Sequence, residues 1–249
     1  MQSYTRKQYQ QGSVLIVVLV MLILLTLIGT WAIKGSLTSL NISTNAQAKA
    51  LLMQNSDSVF YTLENYAKDE LKLAEMRTGD GIINFVDSAG NNGKELVFCI
   101  RGNRVDNFQG TRHASVIYWD GKTLKNSDQG KNGYCQVNRL TDFLSGRKAV
   151  MTQVAIRSTA TEDDWEHLVE GTNQTEKTDT IPTITITATS ILPNLSSASK
   201  TEINNCLTNY TSFVDDKAAN KTVTDCLGEL GVPYSTQDMQ YELRSIKTS

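Results

Sequence analysis

The chain has 249 residues, a formal charge of -2 and a sequence pI near 5.8, a balance that offers no basic surface for nucleic acid and sets direct nucleic-acid binding aside. Its length allows one soluble core, or one core and a small annex, beside a membrane segment. With two histidines and no Gly-x-Ser-x-Gly, His-Glu-x-x-His or complete Walker A pattern, the composition points away from an enzyme.

Residues 1–12 are a short hydrophilic leader carrying Arg6 and Lys7, and the leader ends in Gly12 directly against an apolar run. From Val14 to Ile33 no residue is charged, and at about 1.5 Å per residue such a run crosses a hydrocarbon core of roughly 30 Å. Arg6 and Lys7 ahead of it favour a cytoplasmic N-terminus and place everything after Lys34 on the far side of the membrane. The run exceeds the 7–15 apolar residues of a cleavable secretory signal and lacks its Ala-x-Ala-like site. An ordinary signal anchor fits, and so does the class III signal of type IV prepilins, which the glycine junction resembles.

Only three prolines occur in the chain, Pro182, Pro193 and Pro233, so a helix starting at Ser13 meets no breaker. Past Lys34, apolar residues recur at Leu37, Leu40, Ala48, Leu51, Val59, Leu63 and Tyr66, mostly three or four apart or at sums of these, which predicts an amphipathic continuation to about Leu73. Unbroken, such a helix measures roughly 90 Å. The stripe is too irregular for sustained coiled-coil heptads. Gly29 and Gly35 are its soft points. The helical region is set at 13–76, with the span at about 14–33.

A β-rich head is expected over 77–195. Turn signals at Arg77–Gly81 and Asp87–Gly93 alternate with short β-branched and aromatic runs. Strands are predicted at Ile82–Val86, Glu95–Arg101, Ala114–Asp120, Tyr134–Asn138, Val150–Arg157 and Ile181–Ile191, the last with period-two alternation. Asp120-Gly121-Lys122 reads as a hairpin turn. Between Thr159 and Thr180 an acidic, Thr- and Asn-rich stretch reads as an exposed excursion. An antiparallel sheet on the distal half of the helix is the economical α+β architecture, because the helix stripe and the sheet face each need a partner.

The region 196–249 carries two short helical or irregular segments. Cys99, Cys135, Cys206 and Cys226 all follow the apolar run and include no Cys-x-x-Cys, as expected of disulfides in an oxidising compartment. Four cysteines allow three connectivities; Cys99–Cys135 with Cys206–Cys226 is preferred because near neighbours close shorter loops. Zinc spacing is absent, with His113 and His167 distant. Neither Asp87–Gly93 nor the Glu162–His167 carboxylate cluster has the ligand order of an EF-hand, and no cofactor or metal is expected.

The glycine-ended leader, the core Ser13-Val-Leu-Ile-Val-Val-Leu-Val-Met-Leu22, the long helix and a disulfide-bearing β-rich head resemble type IV pilin-like proteins. More narrowly, Gln11 through Gly29 with Ser39-Leu-Asn-Ile-Ser-Thr-Asn-Ala-Gln47 resembles the PilX-type minor pilins of Gram-negative bacteria. This specific resemblance covers about the first 60 residues; the head matches only in general plan. It implies cleavage between Gly12 and Ser13 by prepilin peptidase and N-methylation of Ser13. Residue five after that cut is Val17, where most pilins have glutamate, and PilX-type minor pilins and GspK-like pseudopilins both lack it. The implied function is priming of pilus assembly from the inner membrane, head in the periplasm, followed by residence in the tip complex, with a role in twitching, adhesion or DNA uptake. Implied partners are other minor pilins, the major pilin, prepilin peptidase and a large tip adhesin. The alternatives are a GspK-like type II secretion pseudopilin and a membrane-anchored periplasmic binding or scaffold protein.

Overall fold

The computed structural model describes residues 13–102, 107–108, 110–144, 147–159, 183–214 and 221–242, and the chain divides into two units between Gln47 and Ala48. Helix α1 is Ser13–Lys68, and its residues 13–47 are the described part of the first unit. The predicted continuation to Leu73 is interrupted at Asp69. Its carboxylate Oδ1 accepts the backbone N–H groups of Leu71 and Lys72 at 3.1 and 3.3 Å, which caps a separate helix α2, Glu70–Arg77. An Asp that bonds its own downstream backbone competes with helix continuation and starts a new helix instead.

In the second unit the sheet order is β3-β2-β1-β4-β5-β6, from Glu95–Cys99 (β1), Ser115–Trp119 (β2), Leu124–Lys125 (β3), Met151–Thr159 (β4), Thr183–Ile191 (β5) and Tyr234–Glu242 (β6). Every neighbouring pair is antiparallel. β5 is the spine, matched residue for residue with β4 on one side, from Thr159↔Thr183 to Met151↔Ile191, and with β6 on the other.

The central strands β1, β4 and β5 are buried on both faces, which explains why β1 reads Glu-Leu-Val-Phe-Cys with every residue buried. Leu96, Phe98, Val154, Ile156, Ile184, Ile186 and Ala188 point to one face, where Val59, Phe60, Leu63 and Tyr66 of α1 join them in one core. Val59, Leu63 and Tyr66 lie four and three apart, as the periodicity predicts, with Phe60 beside them, so the helix presents one apolar stripe to the sheet; Leu37, Leu40 and Leu51 of the predicted stripe are exposed, and Leu52 is buried in place of Leu51. Within this interface Ser56, Thr152 and Ser190 form a buried hydroxyl chain with two 2.8 Å links. On the opposite face, Met151 and Ile191 pack with Ile203, Leu207, Val223 and Leu227. Those come from α4, Lys200–Asn209, and α5, Val223–Glu229. Both helices begin with capping boxes, Ser199 with Glu202 and Thr222 with Asp225, and these bonds hold both carboxyls below the usual carboxylate range.

Two predicted strands are not strands. Ile82–Val86 lies in helix α3, Ile82–Asp87, because helical spacing puts Ile82, Ile83 and Val86 together into the core. Gly81 precedes it, where a Cβ would overlap the backbone carbonyl of Met76. Tyr134–Asn138 is irregular, with Tyr134, Cys135 and Val137 buried. Its amides are satisfied by side chains instead of a neighbouring strand. Cys135 N–H donates to Gln153 Oε1 at 3.1 Å, Gln136 N–H to Asp142 Oδ2 at 3.0 Å and Val137 N–H to Asn204 Oδ1 at 2.7 Å. β6 and the two-residue β3 are unanticipated strands. The Thr159–Thr180 excursion and the Glu162–His167 cluster lie outside the described residues beyond Thr159.

Candidate functional site

The features singled out for function begin at the Gly12–Ser13 junction. Gly12 lies outside the described residues, and Ser13 is the first residue of α1. Among the described residues one helix is long and apolar enough to cross a membrane, and its best 18-residue window has a mean hydropathy of 2.9 with none of it buried. Every residue from Val14 to Ile33 is exposed within the chain itself. Such a surface is stable only where lipid or other protein covers it.

The polar side chains in this run are neutralised locally. Thr26 Oγ1 donates to Ile23 O and Thr30 Oγ1 to Leu27 O, both at 2.8 Å, so neither hydroxyl meets hydrocarbon unbonded. Trp31 and Lys34 stand at the end of the run, residue types that favour a membrane–water interface. Val17 is in the first turns of α1 and 56 % exposed. The first acidic residue in the chain is Asp57; Arg6, Lys7, Lys34 and Lys49 precede it with no acidic counterpart. The apolar part of α1 therefore contains no anion, and Lys34 follows it directly.

No known protein family matches this chain, and neither the curated proteins nor the solved structures contain a match to it.

The four cysteines form two disulfides. Cys99 bonds Cys135, with Cα atoms 4.8 Å apart, and Cys206 bonds Cys226 at 5.5 Å. The first ties the end of β1 to the irregular buried segment; the second joins α4 to α5. Loop-closure entropy assigns the second about 3 kcal/mol. Replacing Cys206 and Cys226 together by serine is expected to lower the urea midpoint of the full chain in detergent by an equivalent amount, read by near-UV circular dichroism.

Two anchors of the head are invisible as sequence patterns. Glu95 is 2 % exposed and accepts the backbone N–H groups of Ser212 and Phe213 at 2.9 and 3.1 Å, fixing the segment after α4. Its negative charge adds to burial in pushing the Tyr134 phenol upward. Arg101 and Asp142 form an ion pair, Nε to Oδ1 at 2.7 Å, beside the first disulfide.

Candidates for chemistry remain apart. His113 sits in the short turn Thr111–His113, and His167 lies outside the described residues. Among the described residues no group of three His, Cys, Asp or Glu side chains is placed to hold a metal ion. Asp120 occupies the predicted hairpin turn between β2 and β3. Its carboxylate accepts the amides of Thr123 at 2.7 Å and Lys122 at 2.8 Å, which hold its carboxyl below the usual range, and Gly121 takes φ 91°, a conformation that favours glycine.

Proposed function

We propose that this chain is a non-enzymatic minor pilin of a type IV pilus, of PilX type, which primes assembly in the inner membrane and ends in the tip complex. The observation that carries the reading is the double use of α1. One helix supplies an uncovered apolar run without a carboxylate and, further along, the stripe of Val59, Phe60, Leu63 and Tyr66 that closes one face of the head sheet. A helix held in a head at one end and bare at the other is built for burial in two successive surroundings, first lipid and then neighbouring helices.

Val17 bears on the place in the filament. Where pilin helices bundle, a glutamate five residues from the mature N-terminus would offset the amino terminus of a neighbour, and an uncompensated buried charge costs several kcal/mol. A subunit with valine there cannot supply that charge and suits a position where no neighbour requires it, the tip. The sheet covered on both faces and the two disulfides fit a head exported to an oxidising compartment.

The test is mass spectrometry of the mature N-terminus. The expected product begins with N-methylated Ser13; a chain that retains Met1 overturns the proposal in favour of an uncleaved membrane anchor. Quantification in sheared filaments tests the tip assignment separately. This chain is expected to be scarce beside the major pilin, and near-equal abundance would reject a tip location.

A further inference from the structure

We propose that the stretch of α1 just beyond the apolar run, residues 36–47, lies on the headgroup layer of a bilayer that contains anionic lipid. Ile33, Leu37, Leu40 and Thr44 fall at i, i+4, i+7 and i+11, so one stripe of the helix continues out of the run. Leu37 is 55 % exposed and Leu40 61 %, which leaves both side chains unused by the chain's own packing. On the other side of the helix Ile42 is exposed between Ser39 and Ala46, and a single apolar side chain there needs no cover.

Charge and hydrogen bonding both favour lipid as the cover. Residues 1–56 include no Asp or Glu, while Lys34 and Lys49 bracket the segment, and among the described residues neither lysine is in an ion pair. A protein helix laid on this stripe would have to bring carboxylates in register with both ammonium groups. Anionic headgroups supply that charge wherever the lysines fall. The hydroxyls are closed in the way seen inside the run. Thr38 Oγ1 donates to Lys34 O at 3.0 Å and Thr44 Oγ1 to Leu40 O at 2.9 Å, as Thr26 and Thr30 do to Ile23 O and Leu27 O. A hydroxyl bonded to its own helix loses little on entering a poorly hydrated layer. The change of direction from span to surface falls at Gly35-Ser36, directly after Lys34, because helices kink at Gly/Ser pairs and a Cβ added to Gly35 would meet nothing within 4 Å. This inference rests on the apolar run spanning a bilayer and does not depend on the pilin reading.

The experiment uses the full chain in nanodiscs of phosphatidylglycerol and phosphatidylcholine, one chain to a disc. The structure has no free cysteine among its described residues, so Leu37→Cys, Leu40→Cys and Thr44→Cys, and on the other side Ser39→Cys, Ile42→Cys and Ala46→Cys, each carry a single spin label. Collision rates with oxygen, which concentrates in lipid, and with a water-soluble nickel chelate are read by electron paramagnetic resonance. The oxygen-to-nickel ratio is expected to be several-fold higher at 37, 40 and 44 than at 39, 42 and 46. Lys49→Gln is expected to lower the ratio of surface-bound to free segment about fivefold, and phosphatidylcholine alone should lower it further. Near-UV circular dichroism of each variant checks that the head is unchanged. Equal ratios at all six positions, the same contrast in phosphatidylcholine alone, or a contrast that appears only with two chains in a disc, which would mark the face as a contact between copies, would each overturn the assignment.

Discussion

Asp142→Ala is expected to destabilise the head by about 3–5 kcal/mol, the cost of stripping a buried ion pair of one partner. Asp142 is fully buried and Arg101 only 7 % exposed. One carboxylate oxygen accepts Arg101 Nε at 2.7 Å; the other accepts the Gln136 amide at 3.0 Å and Arg139 Nη1 at 3.4 Å. Arg101 Nη2 in turn donates to Asn132 O at 2.7 Å. The pair thus fastens both ends of a loop that has no strand to hold it. Alanine leaves a guanidinium buried and unmatched and frees the Gln136 amide as well. For a domain of this size the loss corresponds to a fall in thermal midpoint of roughly 6–20 °C, measurable on the full chain in detergent. Asp142→Asn keeps the shape without the charge and should fall between wild type and alanine. Arg101→Leu combined with Asp142→Leu should recover part of the loss, because an apolar pair strands no charge. A change below 1 kcal/mol in Asp142→Ala would show that the network contributes little.

Val17→Glu is the functional counterpart. On the minor-pilin reading the variant is cut after Gly12 and methylated as in wild type, because the junction itself is untouched. Its effect falls on assembly. A carboxylate placed in the first turns of α1 must be buried among helices at a position whose neighbours were arranged without it. With several kcal/mol at stake, and about 1.4 kcal/mol for each tenfold change in an equilibrium, filament number is expected to drop by more than tenfold when this chain is the only source of priming. Filament counts by electron microscopy, alongside N-terminal mass spectrometry, give the answer. Normal piliation in the variant would remove Val17 from the argument about position.

The apolar run, the stripe from Val59 to Tyr66 and four of the strands were legible because runs of apolar, β-branched residues or a three-and-four spacing mark them. The failures have local causes. Asp69 looks like any polar residue of the stripe until its carboxylate turns back on the amides of Leu71 and Lys72. Ile82–Val86 is β-branched and short, and only contact with the core decides that spacing by three and four wins over alternation. Tyr134–Asn138 is hydrophobic like a strand, yet its partners are the side chains of Gln153, Asp142 and Asn204, far off in sequence. β6 is polar because, among the described residues, no strand pairs with its outer side. The alternation of inward Met239 and Tyr241 with exposed Asp238, Gln240 and Glu242 is the signal that would have found it. Gly12, Ser13 and Val17, by contrast, are defined by chain position alone.

The placement of β6 has a consequence for the chain as it is synthesised. β5, Thr-Ile-Thr-Ile-Thr-Ala-Thr-Ser-Ile, combines high β-propensity with no charge and no proline, the composition of self-associating cross-β segments. Its open edge is covered by β6 over all nine residues, yet residues 192–233 must be made before that cover begins. The cover carries Asp238 and Glu242, charges of the kind that discourage a further strand from adding on. The closing strand therefore acts as a gatekeeper against aggregation, and a chain that stopped short of Tyr234 would leave β5 paired with β4 alone, its other edge open.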